Sequence, residues 1–197
     1  MNRKVFLVGS ALAATVAGLA ATVRASIVDG PAIPRGSQVV ELDSFNAARL
    51  ASAVFAESNR VRAAHHRRRL ASDPRLETAA NDQAAFMAMV LRSTHENFLA
   101  KSRTPLDRVL RAGLRPQRVA ENVAMMSTHR RSYAELAVVL VQAWMDSPGH
   151  RANLLSREVT HFACAARVAR MVNGDEVVFA TQVFVRADTS FAASGLN

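Results

Sequence analysis

Glu121, His95 and His150 are the side chains of this chain that could do chemistry together. Glu121 opens a Glu-Asn pair on a predicted strand. His150 lies in Ser147-Pro148-Gly149-His150-Arg151, a turn that launches a short helix, and His95 lies upstream in Ser93-Thr94-His95. The long helix predicted between Glu121 and His150 can fix their separation. Two neutral imidazoles and one carboxylate suffice for three zinc ligands with an open fourth position. The spacings are long, however, and no His-Glu-x-x-His places two ligands on one helical turn. His95 and His150 as ligands of a divalent metal such as zinc therefore compete with a hydrogen-bonded network in which Glu121 accepts from a histidine. Ser147, His150 and Glu121 also have the residue types of a serine hydrolase. Against that, Ser147 precedes Pro148 as a helix cap, which is expected to engage its hydroxyl, and no nucleophile-elbow motif is present. His129 and His161 are expected on the surface.

The elements that must position these groups can be read from caps and periodicity. A first helix is predicted from Asp43-Ser44 to about Ala64, with Leu50, Ala51, Val54, Phe55 and Ser58 as its inward stripe. Asp73-Pro74 starts a second, carrying Leu76, Ala79, Ala80, Gln83, Met87 and Val90, its methionines read as core filler. Thr104-Pro105 starts a short helix stopped by Gly113, and Val119 to Met126 alternates as a strand. Ser132-x-x-Glu135 is a capping box for the long helix, which should bury Leu136, Val139, Leu140, Ala143 and Trp144. The last third changes period. Phe162, Cys164, Ala166 and Val168 alternate, and Asn173-Gly174 signals a type I′ hairpin. The return strand, Val177 to Val185, is apolar on both faces and so should be covered on both. An α+β fold follows, a layered α-β-α sandwich around a mainly antiparallel sheet.

The chain has 197 residues, enough for one domain and a leader, and half of it is apolar, as in a globular protein. Asn2-Arg3-Lys4, the apolar run Val5 to Val23 and Val23-Arg24-Ala25 read as a signal peptide over 1–25, cleaved before Ser26. An uncleaved anchor is the other reading, since the run approaches the length of a membrane span. Much of it is Ala, Gly and Thr, so a mature form without a transmembrane span is expected, secreted or periplasmic. No Cys lies near the cleavage site, which excludes a lipoprotein anchor. Residues 26–42 read as a linker and 188–197 as a loose tail. Cys164 is the one cysteine, so no internal disulfide can form, and its apolar run makes it a buried small hydrophobe. The formal charge of +9 falls to 9 − 3 = +6 without Arg3, Lys4 and Arg24. The excess clusters at Arg60, Arg62, Arg67, Arg68 and Arg69. This is either a solvated helix end or a docking surface, Arg67, Arg68 and Arg69 above all, for acidic lipid or envelope polymer. Nucleic acid is not expected as a partner, because no nucleic-acid-binding signature accompanies the charge.

Several segments occur together in a known order: Asn59-Arg60-Val61-Arg62, Asp73 to Asp82, Ser93-Thr94-His95, Ala120-Glu121-Asn122, Trp144-x-x-Ser147-Pro148-Gly149-His150 and Gln182-x-Phe184. In this the chain resembles the bacterial branch of the CAP superfamily, the cysteine-rich secretory, antigen 5 and pathogenesis-related 1 proteins with SCP domains. The resemblance covers about Phe45 to Arg186 and implies a CAP/SCP domain over 43–187. It implies an α-β-α sandwich with a cleft lined by two His and two Glu, here His95, Glu121 and His150. The register of the remaining Glu falls on Ser147, with Asp146 beside it. The sequence also departs from the pattern at Ala120, where Gly commonly stands, and at His65-His66-Arg67-Arg68-Arg69. The function expected is a secreted binding module of the cell envelope, its cleft of His95, Glu121, Ser147 and His150 taking a small, lipid-like ligand or a divalent metal. The alternative is a metal-assisted hydrolase of peptides or envelope polymers, with Glu121 as general base on a metal-bound water.

Overall fold

The computed structural model describes residues 40–99 and 101–187. The expected leader, the tail 188–197 and all of the expected linker except 40–42 lie outside the described residues. A single 3-10 turn at Leu42–Ser44 precedes five helices: α1 (Ala47–Ala64), α2 (Pro74–Val90), α3 (Pro105–Arg111), α4 (Tyr133–Asp146) and α5 (Pro148–Leu154). The strands are β1 (Arg118–Ser127), β2 (His161–Arg170) and β3 (Glu176–Arg186), antiparallel in the order β1-β3-β2. Among the described residues no helix is long and apolar enough to cross a membrane.

The central strand β3 is buried from Val177 to Val185, which is why its sequence is apolar on both faces. Phe162, Cys164, Ala166, Val178, Ala180 and Phe184 point to one face, where α1 and α4 supply Leu50, Val54, Leu136, Leu140 and Trp144. Val119, Ala163, Ala165, Val183 and Val185 point to the other, against Leu76, Ala79, Ala80, Ala84 and Val109 of α2 and α3. The molecule is thus the expected three-layer α-β-α sandwich. Cys164 lies within it, and burial pushes its thiol well above the ordinary range, so it is an inert core residue.

The caps that announced α2, α3 and α4 are made. Asp73 accepts from the Arg75 N–H, and Thr104 and Ser132 form capping boxes with Asp107 and Glu135. Four expectations need correction. The N-cap of α1 is Asn46, whose Oδ1 accepts from the Arg49 N–H, because the 3-10 turn takes Asp43 and Ser44. The stripe of α4 is rotated, with Tyr133, Ala137 and Val141 buried and Val139 and Ala143 only half-buried. Val90 and Met89 end exposed on α2, so only Met87 there is core filler. The hairpin is not type I′. That turn needs positive φ at both central residues, whereas only Gly174 has it (+90°), and the four-residue turn that forms lies one residue earlier, the N–H of Gly174 donating to the Met171 carbonyl.

Candidate functional site

Alternation along β1 sends Glu121 toward α3 and Asn122 toward α1 and α5, and β1 is an edge strand. α5 can therefore wrap that edge. The Asn122 Nδ2 donates to the His150 carbonyl at 3.1 Å on one side, while the His150 ring comes round to His95, centroid to centroid 6.2 Å. The structure thus brings His95, Glu121 and His150 together. His95 Nδ1 lies 3.0 Å from Glu121 Oε1. A carboxylate only accepts, so that nitrogen carries the proton and a neutral ring leaves Nε2 as an acceptor.

The other oxygen of Glu121 is held by a residue that sequence reasoning missed. Arg108, wholly buried, donates from one terminal nitrogen to Glu121 Oε2 at 2.5 Å and to the His95 carbonyl at 3.4 Å. Its second terminal nitrogen donates to the carbonyls of Ser102 at 2.9 Å and Arg103 at 3.3 Å. The signal was available, since Pro105, Arg108 and Val109 form the buried stripe of α3 and an arginine there requires an internal acid. On the opposite face, Asn122 also donates to Gln182 Oε1 at 3.2 Å and accepts from Asn153 at 3.0 Å. Gln182 in turn donates to Ser58 Oγ at 2.7 Å, which ties β1, β3, α1 and α5 through one buried polar seam.

Two groups at or beside this cluster stand out. His150 Nε2 is buried and has no hydrogen-bond partner among the described residues. Burial first, and the nearby charge that His95 can carry second, hold the His150 ring below the ordinary imidazole value of 6.5. Ser147 takes the N-cap position of α5, but its hydroxyl makes no capping bond, so the expected engagement is not seen. Nor is Ser147 bonded to the histidines or to Glu121. The arginine cluster lies apart. Arg67 is half-buried and donates to the Leu155 carbonyl at 2.9 Å, while Arg68 and Arg69 are exposed. Arg62 is a buried clamp on the carbonyls of Arg68, Leu154 and Ser156. His129 is exposed, and His161 is half-buried beside Thr160.

The donor set does not fit a resident zinc. Glu121 is engaged through both oxygens, which leaves two imidazoles where a catalytic zinc has three protein ligands. Among the described residues no group of three or more His, Cys, Asp or Glu is arranged to hold a metal ion.

Residues 44–184 match the cysteine-rich secretory protein family, CAP, and the chain belongs to that family. Its structure is similar to that of an extracellular protein containing a SCP domain from Bacillus anthracis str. Ames, with a TM-score of 0.56 and 24% identity. That alignment covers 80% of this chain and 45% of the other, so this chain matches less than half of that protein. It is also similar to an outer surface protein from Borrelia burgdorferi, with a TM-score of 0.53 and 16% identity over 77% and 99% of the two chains. These likenesses show the fold. No curated protein matches significantly.

Two outcomes follow from the ion pair and the buried imidazole. Arg108→Leu leaves Glu121 as a buried charge without its cation and should cost about 3–5 kcal/mol in urea unfolding. The double variant Arg108→Leu/Glu121→Leu should cost less than that single change; strict additivity would show that the pair does not couple. His150, with its value lowered by folding, binds its proton more readily in the unfolded chain. Stability should therefore fall as the pH drops below 6.5, and level off once the folded-state value is passed. His161 shifts the same way, mainly through burial. Melting curves of wild type and His150→Gln should differ in steepness across this window, and identical profiles would remove His150 from the account.

Proposed function

We propose that this chain is an extracellular binding module of the cell envelope. The cluster of His95, Glu121 and His150 beside the β1 edge takes a small, lipid-like ligand through a hydroxyl or similar polar group. The observation that carries the reading is the unpartnered Nε2 of His150, buried beside His95. A buried polar atom without a partner costs free energy, and a ligand group bonded to it removes that cost. His95 is pre-oriented by Glu121 and Glu121 by Arg108, so the wall of the cleft is set before a ligand arrives. Placement outside the cell rests on the apolar leader over 1–25 and on the likeness to an extracellular and an outer surface protein. The exposed Arg68 and Arg69 provide a second contact, to anionic envelope material.

The hydrolase reading has less support. A general base must receive a proton from water, and both oxygens of Glu121 are already hydrogen-bonded, one of them to a guanidinium. Ser147 has no base bonded to it and lacks the pairing that activates a nucleophile.

Native mass spectrometry of the protein recovered after export, prepared without chelator, should show a bound lipid-sized mass. His150→Phe, which fills the cleft, should lose it. A bare wild-type protein that also takes up nothing from an envelope lipid extract would defeat this reading. A stoichiometric metal lost in His95→Ala would restore the hydrolase.

A further inference from the structure

Four of the large apolar side chains left in solvent lie at one place. Met89 and Val90, at the end of α2, are 63% and 39% exposed; Phe98 and Leu99, in the loop that follows, are 61% and 56% exposed. Phe98 lies edge-on against Phe86, ring centroids 5.9 Å apart. Met89 and Val90 follow Phe86 by three and four residues and share its side of the helix. The loop is built rather than slack. The Asn97 N–H donates to the Arg103 carbonyl at 3.0 Å, the Leu99 N–H to Asn97 Oδ1 at 3.0 Å, and the Ser102 N–H to the Leu99 carbonyl at 3.3 Å. Asn97 and Ser102 are buried, and Arg108 holds the Ser102 carbonyl. The base is locked, and it carries Phe98 and Leu99 on its tip.

Around this tip stand the exposed cations Arg92, Lys101 and Arg103. The one acid within the loop, Glu96, lies 3.8 Å from Arg103, so positive charge remains in excess. We propose that the tip docks the protein on an anionic bilayer, with Phe98 and Leu99 entering the interface and the three cations meeting the headgroups. An apolar projection rimmed by cations is the pattern of an interfacial anchor. A second copy fits less well, because two-fold pairing of the tip would set the same three cations against themselves. Asn97, Leu99, Ser102 and Arg103 are already tied by hydrogen bonds before contact, so docking does not bear the entropic cost of ordering them. This inference stands independently of what the cleft binds. It does place the cleft beside the docked face, since His95 is two residues from Asn97.

The test is Leu99→Trp, titrated with vesicles of equal parts phosphatidylglycerol and phosphatidylcholine. Leu99 is exposed, and the one native tryptophan, Trp144, is buried and gives a constant background. The protein used is the form recovered after export, so that partitioning reports the folded domain. Emission should shift to the blue and be quenched by brominated chains. Phe98→Ser/Leu99→Ser, with its melting temperature checked against wild type, should partition at least about tenfold less. Arg92→Ser/Lys101→Ser should weaken binding most at low salt. Unchanged emission at vesicle excess overturns the proposal, as does equal binding to phosphatidylcholine alone. A loss confined to Arg68→Ser/Arg69→Ser also overturns it and assigns docking to the other basic face. So does a dimer that the Phe98→Ser/Leu99→Ser change dissolves in the absence of any vesicle binding.

Discussion

The buried pair of Arg108 and Glu121 is the constraint from which the architecture of the site follows. Removing a guanidinium and a carboxylate from water costs several kcal/mol per ion, and mutual attraction offsets this only when the remaining donors and acceptors are satisfied. The structure meets that condition almost completely. Four donor contacts of Arg108 reach Glu121 and three backbone carbonyls, and the free oxygen of Glu121 takes His95. Only Arg108 Nε lacks a partner. The three carbonyls, of His95, Ser102 and Arg103, belong to the two ends of one loop. That loop is held by a side chain on α3 as well as by its own Asn97, whose backbone and side chain bond Arg103 and Leu99.

The opposite face of β1 answers with a neutral seam. Ser58, Asn122, Asn153 and Gln182 are buried and pass hydrogen bonds from one to the next. Buried amides are costly unless every member finds a partner, so such a network tolerates one register only. A one-residue slip of β1 would exchange Glu121 and Asn122 between faces, stranding a carboxylate among amides and an amide against a guanidinium. The two polar sets, one charged and one neutral, therefore fix the same strand from both sides. They also explain why Glu and Asn stand side by side in the sequence.

Much of the scaffold was legible because it is written in local chemistry. Asp73-Pro74, Thr104-Pro105 and Ser132-x-x-Glu135 act within one turn of where they stand, and the two-faced apolarity of β3 reports its central place directly. His95, Glu121 and His150 were legible as a set, but through resemblance, since nothing local ties residues so far apart. What escaped was tertiary. Arg108 was not singled out, because only its place with Pro105 and Val109 on the buried stripe of α3 marks it as internal. The α1 cap moved to Asn46 because the preceding turn, anchored by the Val40 N–H on the Arg131 carbonyl and the Leu42 N–H on Glu176, claimed Asp43 and Ser44. Asn173-Gly174 promised a two-residue turn, but the Met171 N–H bonds the Asp175 carbonyl, leaving three residues, Val172 to Gly174, to be spanned. The free hydroxyl of Ser147 was likewise invisible, because the Pro-led start of α5 does not itself require a side-chain cap.

One guanidinium serves both the cleft wall and the base of the exposed loop, and this limits what the site can do. A general base works by changing protonation state during a reaction, but here the carboxylate is the counter-charge of a buried arginine. Protonating Glu121 would leave Arg108 uncompensated in the interior, with the loss spreading to the carbonyls that it holds. A binding wall makes the opposite demand. It needs the carboxylate fixed in one state, so that His95 keeps one tautomer and presents one face to a ligand. The arrangement of Arg108, Glu121 and His95 meets the second demand and conflicts with the first. Under the binding reading proposed above, His150, its ring held below the ordinary imidazole value and its Nε2 buried without a partner, is the group left to meet a ligand.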